Sequence, residues 1–371
     1  MSAPEGKRVF ILGAGFSKAA GMPDAHEVAT LLLESDLLRH HKELQAWARD
    51  LLERIQHVNR LDCTGGGVSV NVEQLFEYAA FDRELYLVRQ HLCPFGRYAG
   101  PSPHQKAESI DHWLSYMERD LVKVLISRQQ AARPEALHDF AGSLRPGDTI
   151  VTFNYDTLLE STLTGRRLHW SHGFEAESPG DVRIFKLHGS IDWWMLQRGT
   201  GVNASKWTKL FEKYDEDESH DASEGLRARD EWEYHAVLYR AADLNIARLA
   251  YERESAPIFD PVPRRGLAGL GPYKPLHRLV GSGEVWLKAF DAIREADEIY
   301  VIGWSASPYD TMARFHFASV LNLPECKPKR VVVVDPKVGE QIKNYRSIFG
   351  EVEAIPQCAE HVDWDSVLAR Q

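Results

Sequence analysis

The residues best suited to chemistry in this sequence each stand directly after a short apolar run. Gly13-Ala14-Gly15-Phe16-Ser17 follows Val9 to Leu12, Asn154-Tyr155-Asp156 follows Thr149 to Phe153, and His188-Gly189-Ser190 follows Ile184 to Leu187. Gly303-Trp304-Ser305 and Asp335 close two later runs, Ile299 to Ile302 and Val331 to Val334. Two glycines let a backbone turn tightly and approach a diphosphate, which free amides and the dipole at the start of a following helix would favour. Ser17 adds a hydroxyl donor. An aspartate suits a ribose diol, an asparagine amide orients a ribose or a water, and a neutral imidazole can take a proton near neutral pH. Together these residues describe a nucleotide site with catalytic equipment.

Each also has a plainer reading. The glycine turn could simply join a strand to a helix, Asn154 and Asp156 could cap a helix over 157–163, Asp335-Pro336 could be a turn, and His188 could be a buried histidine satisfied by backbone. The dinucleotide fingerprint does not hold, because its third glycine position is Lys18 and the next glycine is Gly21. Its acidic partner, due about 20 residues on at the tip of a second strand, has only Glu34 and Asp36 as candidates, both in a leucine-rich helical pattern. His169 and His172 lack a third ligand at recognisable spacing, and the four cysteines, Cys63, Cys93, Cys326 and Cys358, lie far apart. No zinc module, disulfide framework or other metal site is expected.

The elements that must position these residues follow from the patterning. Val9–Leu12, Asp148–Phe153, Arg183–Leu187, Glu298–Ile302 and Arg330–Val334 read as buried parallel strands. Open α/β sheets hold ligands at the carboxyl ends of their strands, where every candidate above stands. Helical spacing over Ala25 to Asp62, a helix started by Asn71, and another from His104 to Gln130 put a mostly helical block between the glycine turn and the second strand. The predicted fold is α/β, a Rossmann-like parallel sheet interrupted by mostly helical insertions. One domain is expected, with its core from 7–34, 145–195 and 284–371, a helical insertion over 35–144, and a lid or packing arm over 196–283. Within that arm a helix is expected near Glu231 to Glu254, and Trp193-Trp194 read as apolar bulk behind the His188 loop.

Whole-chain properties narrow the function classes. With 371 residues, 44% of them hydrophobic, the chain can bury a large core. A net charge of −10 gives no general electrostatic reason to bind nucleic acid, and the acidic run Asp215–Glu218 reads as a solvated loop. No apolar run approaches the ~20 residues that span a bilayer, and the first residues lack the apolar core of a signal peptide, so a soluble cytoplasmic protein is expected.

Gly13-Ala14-Gly15-Phe16-Ser17 with Gly21-Met22-Pro23, Phe153-Asn154-Tyr155-Asp156, Lys186-Leu187-His188-Gly189-Ser190 and Ile302-Gly303-Trp304-Ser305 resemble, in order, the NAD-binding motifs of sirtuins. More narrowly, they resemble the sirtuin-like NAD hydrolases of bacterial anti-phage defence. The resemblance implies that Gly13, Ala14, Gly15, Phe16 and Ser17 hold the NAD diphosphate, that Pro23 is a further cofactor-binding position, that Asn154 and Asp156 lie by the nicotinamide ribose, and that His188 is catalytic. It puts Gly303 and Ser305 on the adenosine side; Asp335 joins them from its strand-end position. The four-cysteine zinc module of deacetylating sirtuins is missing, and Pro23 is followed by Asp24-Ala25-His26 instead of their aromatic-arginine turn. The implied activity is cleavage of NAD to nicotinamide and ADP-ribose by a regulated effector. A homo-oligomer, and a protein partner such as a HerA-type ATPase or a short Argonaute, are implied with it. A deacylase or ADP-ribosyltransferase, and a non-catalytic NAD- or ADP-ribose-binding subunit, are the alternatives.

Overall fold

The computed structural model describes residues 6–34, 42–62, 70–92, 102–173, 180–197, 211–213, 236–241, 264–267, 282–307, 310–324, 326, 328 and 330–369. It divides into two compact units, one made of Met1–Met22, Leu125–Ala268 and Pro275–Gln371, the other of Pro23–Val124 and Gly269–Lys274.

The first unit is built on a seven-stranded sheet in the order β11-β10-β9-β1-β2-β4-β3. The strands are β1 (Arg8–Leu12), β2 (Thr149–Thr152), β3 (Trp170–Ser171), β4 (Val182–Lys186), β9 (Glu298–Ile302), β10 (Arg330–Val334) and β11 (Glu353–Ile355). All neighbours pair in parallel. β1 is buried along its whole length because both faces are covered, which explains its unbroken apolar run. Val9, Ile11, Ile299, Val301, Val331 and Val333 join one core with Trp286, Phe317 and Tyr345, which lie on helices Ser282–Arg294, Thr311–Leu321 and Val338–Phe349. On the other face Phe10 stacks on Tyr300 and meets Phe140 edge-on, and Phe140 in turn packs on Trp364.

Five of the seven strands stand within about a residue of the sequence expectation; the short edge strands β3 and β11 have too little pattern to announce themselves. A second sheet departs from it. β5 (Gly189–Gln197) pairs antiparallel with β7 (Ala236–Ala241) and β8 (Arg264–Leu267), and β6 (Phe211–Lys213) pairs with β7. The helix expected near Glu231 to Glu254 is corrected over Ala236–Ala241, which is strand because β5 supplies its ladder. The rest of that stretch lies outside the described residues, as do Cys63, Cys93, Asp36 and the acidic run Asp215–Glu218. Trp193 and Trp194 are strand residues of β5.

The second unit is helical: α2 (Ala25–Leu33), α3 (Lys42–Asp62), α4 (Val72–Leu92) and most of α5 (Pro103–Gln130), counting the short Ala14–Lys18 helix as α1. Asp24 starts α2 with a capping box, accepting from the His26 and Glu27 amides while Glu27 accepts from the Asp24 amide. Asn71 caps α4 through the Glu73 amide at 2.8 Å, as its sequence position predicts. Trp47 and Trp113 meet edge-on at the centre of this unit, and Asp82 accepts from both Trp47 and Arg54. No helix among the described residues is long and apolar enough to cross a membrane.

Candidate functional site

Strand register decides which candidates share an edge. Leu12 stands opposite Thr152 and Ile302, Thr152 opposite Lys186, and Ile302 opposite Val334. Because the strands are parallel, the chain leaves all five at the same edge. The Gly13 turn, the Asn154 loop, His188, the Gly303 loop and Asp335 therefore stand along one side of the sheet. The connections run from β1 out to β2, β4 and β3, then return to β9 on the other flank of β1. Such a reversal of strand order is where open α/β sheets bind ligands.

At that reversal the two glycine loops touch. The Gly13 amide donates to the Ile302 carbonyl at 3.0 Å and the Gly15 amide to the Gly303 carbonyl at 2.9 Å. A Cβ on Gly13 would lie 2.5 Å from the Trp304 Cα, and one on Gly303, whose φ is +61°, would lie 2.3 Å from the Phe16 nitrogen. The absent side chains thus let two backbones cross.

This contact corrects part of the expected diphosphate cradle. The amides of Gly13 and Gly15 are spent on the Gly303 loop, and that of Phe16 on the Gly13 carbonyl. The Phe16 ring is in the core, edge-on to Phe140. Ser17 is buried, and its hydroxyl serves Asp156 instead of standing free. Ala14, the first residue of α1, is the member of the turn whose amide has no acceptor among the described residues, and Gly15 beside it is exposed.

Asn154 ties the turn to the β2 loop. Its Nδ2 donates to the Gly13 carbonyl and to Ser17 Oγ, each at 2.9 Å, while its own amide is held by Thr152 Oγ1 at 3.1 Å. Its Oδ1 has no partner among the described residues. Ser17 links Asn154 to Asp156, whose Oδ1 also accepts the Leu158 amide at 3.2 Å and so caps α7 (Leu158–Gly165). The capping and site readings of Asp156 thus describe one carboxyl. Burial pushes that carboxyl upward from its ordinary range against the opposing charge of Lys186.

His188 is buried beside Phe153 and Tyr155, with ring centroids 5.2 Å and 5.7 Å away. Phe153 stacks on Trp304 at 5.0 Å, so an aromatic row connects His188 to the Gly303 loop. The loop carrying Asn154 is stitched to the segment after His188: the Tyr155 carbonyl accepts the Ile191 amide at 2.9 Å and Ser190 Oγ at 3.3 Å.

Three charged or titratable residues beneath the loop have no site role in the sequence reading. Lys186 Nζ donates to the Asp156 carbonyl and, at 2.9 Å, to Glu160 Oε1, which lies 3.1 Å from His172 Nε2. All three side chains are at most 2% exposed. Burial works against the Glu160 carboxylate, but Lys186 and His172 hold it down to about 2. The signal available was a lysine ending a buried strand, directly after Ile184-Phe185 and two residues before His188.

The outlying candidates divide. Ser305 is half-buried on the Gly303 loop, whose Ala306 has φ +48° and a carbonyl held by Arg314. Asp335 serves its own turn: Oδ1 accepts the Lys337 amide at 2.7 Å and Oδ2 the Tyr345 hydroxyl at 3.4 Å. Pro23 opens the helical unit, directly ahead of the Asp24 cap.

The family model described as a SIR2-like domain matches residues 148–224. No curated protein matches the chain. Among solved structures, a mutant Sir2 homologue complexed with 2′-O-acetyl ADP ribose is 14% identical, covers 98% of this chain and 91% of its own, and has a TM-score of 0.40. A Sir2 mutant with a p53 peptide and NAD is 11% identical, covers 95% and 88%, and has a TM-score of 0.36. Both superpositions are loose. The stretch that matches the SIR2-like domain model, residues 148–224, holds Asn154, Asp156, Lys186 and His188.

Proposed function

We propose that the chain binds NAD along the carboxyl edge of the parallel sheet and hydrolyses it to nicotinamide and ADP-ribose. The observation that carries this reading is the Asn154 amide, which bridges the Gly13 carbonyl and Ser17 Oγ while Ser17 reaches Asp156. One side-chain network thereby couples the turn proposed for the diphosphate to the loop proposed for the ribose.

In this reading the C–N bond between ribose and nicotinamide breaks with its electron pair leaving on nicotinamide. The anomeric carbon becomes cationic in character and takes a water oxygen, and His188 accepts the proton that water loses. Asn154 Oδ1 orients the ribose or the water. Asp156 fixes the loop and faces the ribose diol. Ala14 and Gly15 lie against the diphosphate, and Gly303 with Ser305 borders the adenosine.

A hydrolase that never rested would exhaust the NAD of its own cell, so control belongs to the proposal, in keeping with an effector of anti-phage defence. We assign that control to association between copies of the chain through α4. Phe81, Leu85, Val88 and Leu92 are exposed on one face at four-three-four spacing, and exposed Glu84 and Arg89 flank it with opposite charges that a second copy can match.

The test is chromatographic. Purified protein is incubated with NAD, alone and with an acyl-lysine peptide, and its mass is followed by light scattering. Peptide-independent release of nicotinamide and ADP-ribose, rising with assembly and lost in Leu85→Glu, is the expected result. Release that requires the peptide makes the chain a deacylase, and tight ADP-ribose binding without release in any assembly makes it a binding subunit.

A further inference from the structure

Lys186 ends β4 with its amino group inside the protein, where it spans the first turn of α7: one hydrogen bond goes to the carbonyl of Asp156, the other to the carboxylate of Glu160 four residues on. His172, directly after β3, closes the far side of Glu160 and is packed edge-on by Trp170 and Trp193. Burying such charges is costly, and an apolar set of similar volume commonly stabilises a fold as well or better. The cation is not the cheapest way to fill this space.

Its connections say what it accomplishes. The preceding carbonyl, of Tyr155, is already held by Ile191 and Ser190, and the Asn154 amide by Thr152. Lys186 adds the hold on Asp156, so each residue of the loop 154–156 is pinned through its main chain. The same ammonium lies close enough to the Asp156 carboxyl to oppose the effect of its burial, and Ser17 and Glu160 are the other side chains that bear on that carboxyl.

We propose that Lys186, held in place by Glu160 and His172, is the positioning cation of the site, fixing the Asp156 loop so that its carboxyl meets the ribose on the nicotinamide side of the coenzyme. This rests on the nucleotide reading above and adds the group that gives the site its selectivity for the second ribose. Lys186 acts through Asp156 and touches no reacting atom.

The experiment compares ADP-ribose with ADP, which lacks that ribose, by calorimetric titration of wild type, Lys186→Met, and the double variant Lys186→Met/Glu160→Gln. The double variant removes both charges, so neither is left buried alone, and its melting temperature checks that it folds. Wild type is expected to bind ADP-ribose more tightly than ADP, and the double variant to lose about tenfold in affinity for ADP-ribose, the worth of one lost hydrogen bond to a charged group, with ADP unchanged. A folded double variant that keeps the wild-type ratio of the two affinities overturns the inference. A wild type that binds ADP-ribose but releases no nicotinamide breaks only the hydrolase reading, whereas one that binds neither ligand removes the nucleotide reading and this inference with it.

Discussion

Two buried ion networks stand at opposite edges of the same parallel sheet. At the amino-terminal end, Arg8 grips Asp148 with Nε on Oδ1 at 2.9 Å and Nη2 on Oδ2 at 2.5 Å, and the Arg145 amide adds a third bond at 2.8 Å. Arg8 Nη2 also donates to the Ser143 carbonyl at 3.3 Å, so the pair joins the start of β1 to the turn that leads into β2. At the carboxyl-terminal end, Lys186 faces a loop carbonyl and a helix carboxylate, and the neighbouring Ala14 amide and Asn154 Oδ1 keep polar capacity that no described residue takes up. Charge at one end locks strand to strand; charge at the other aims a loop. Similar side chains are used in both, and the difference lies in whether their partners belong to the sheet or to what the sheet displays.

That contrast can be broken in four ways. His188→Ala should lower NAD cleavage by about 10²–10⁴-fold with the melting temperature held, as for loss of a general base; a matching fall in melting temperature would return His188 to the core. Arg8→Met leaves Asp148 buried without its guanidinium and should cost about 3–5 kcal/mol in urea unfolding, with turnover per folded molecule unchanged. If turnover falls as well, the two ends are coupled and the division fails.

Gly303→Ala tests the crossing of the glycine loops. The added methyl meets the Phe16 nitrogen at a backbone angle that alanine disfavours, so about 1–3 kcal/mol of stability should go, with weaker ADP-ribose binding. An alanine variant of unaltered stability would mean that the loops stand further apart than described.

The smallest effect is in the acid limb of stability. Glu160 has its folded value lowered, so its stabilising contribution is complete above the ordinary carboxyl range and drains away as pH falls from about 4.5 toward about 2. Asp148 has the opposite sign, since burial outweighs Arg8 and raises its value; its ionised form costs stability, and that cost is relieved on acidification. Unfolding free energy measured across this range should therefore lose part of its downward slope in Glu160→Gln and steepen in Asp148→Asn.

Much of this was legible from residue order. The apolar runs from Val9, Thr149, Ile184, Ile299 and Val331 are strands because a parallel sheet covered on both faces demands unbroken hydrophobicity, and the polar residue ending each run stands at the carboxyl edge of the sheet, where open α/β sheets in general hold ligands. Asn71 announces a helix start by its position alone. What escaped is instructive. β7 carries no decisive period of its own and is strand because β5 pairs with it. The role of Gly13, Gly15 and Gly303 could be read as room for a ligand, yet their missing side chains first admit one another's backbones.

Sequence alone settled the parallel α/β core, since buried strands and strand-end polar residues leave a local mark. Only the tertiary structure decided what each polar atom is spent on. It gave the amides of Gly13, Gly15 and Phe16 to the protein's own carbonyls, Ser17 to Asp156, and Lys186 to Glu160 and the Asp156 loop. These partners lie far apart along the chain, so only the strand register brings them into hydrogen-bond reach.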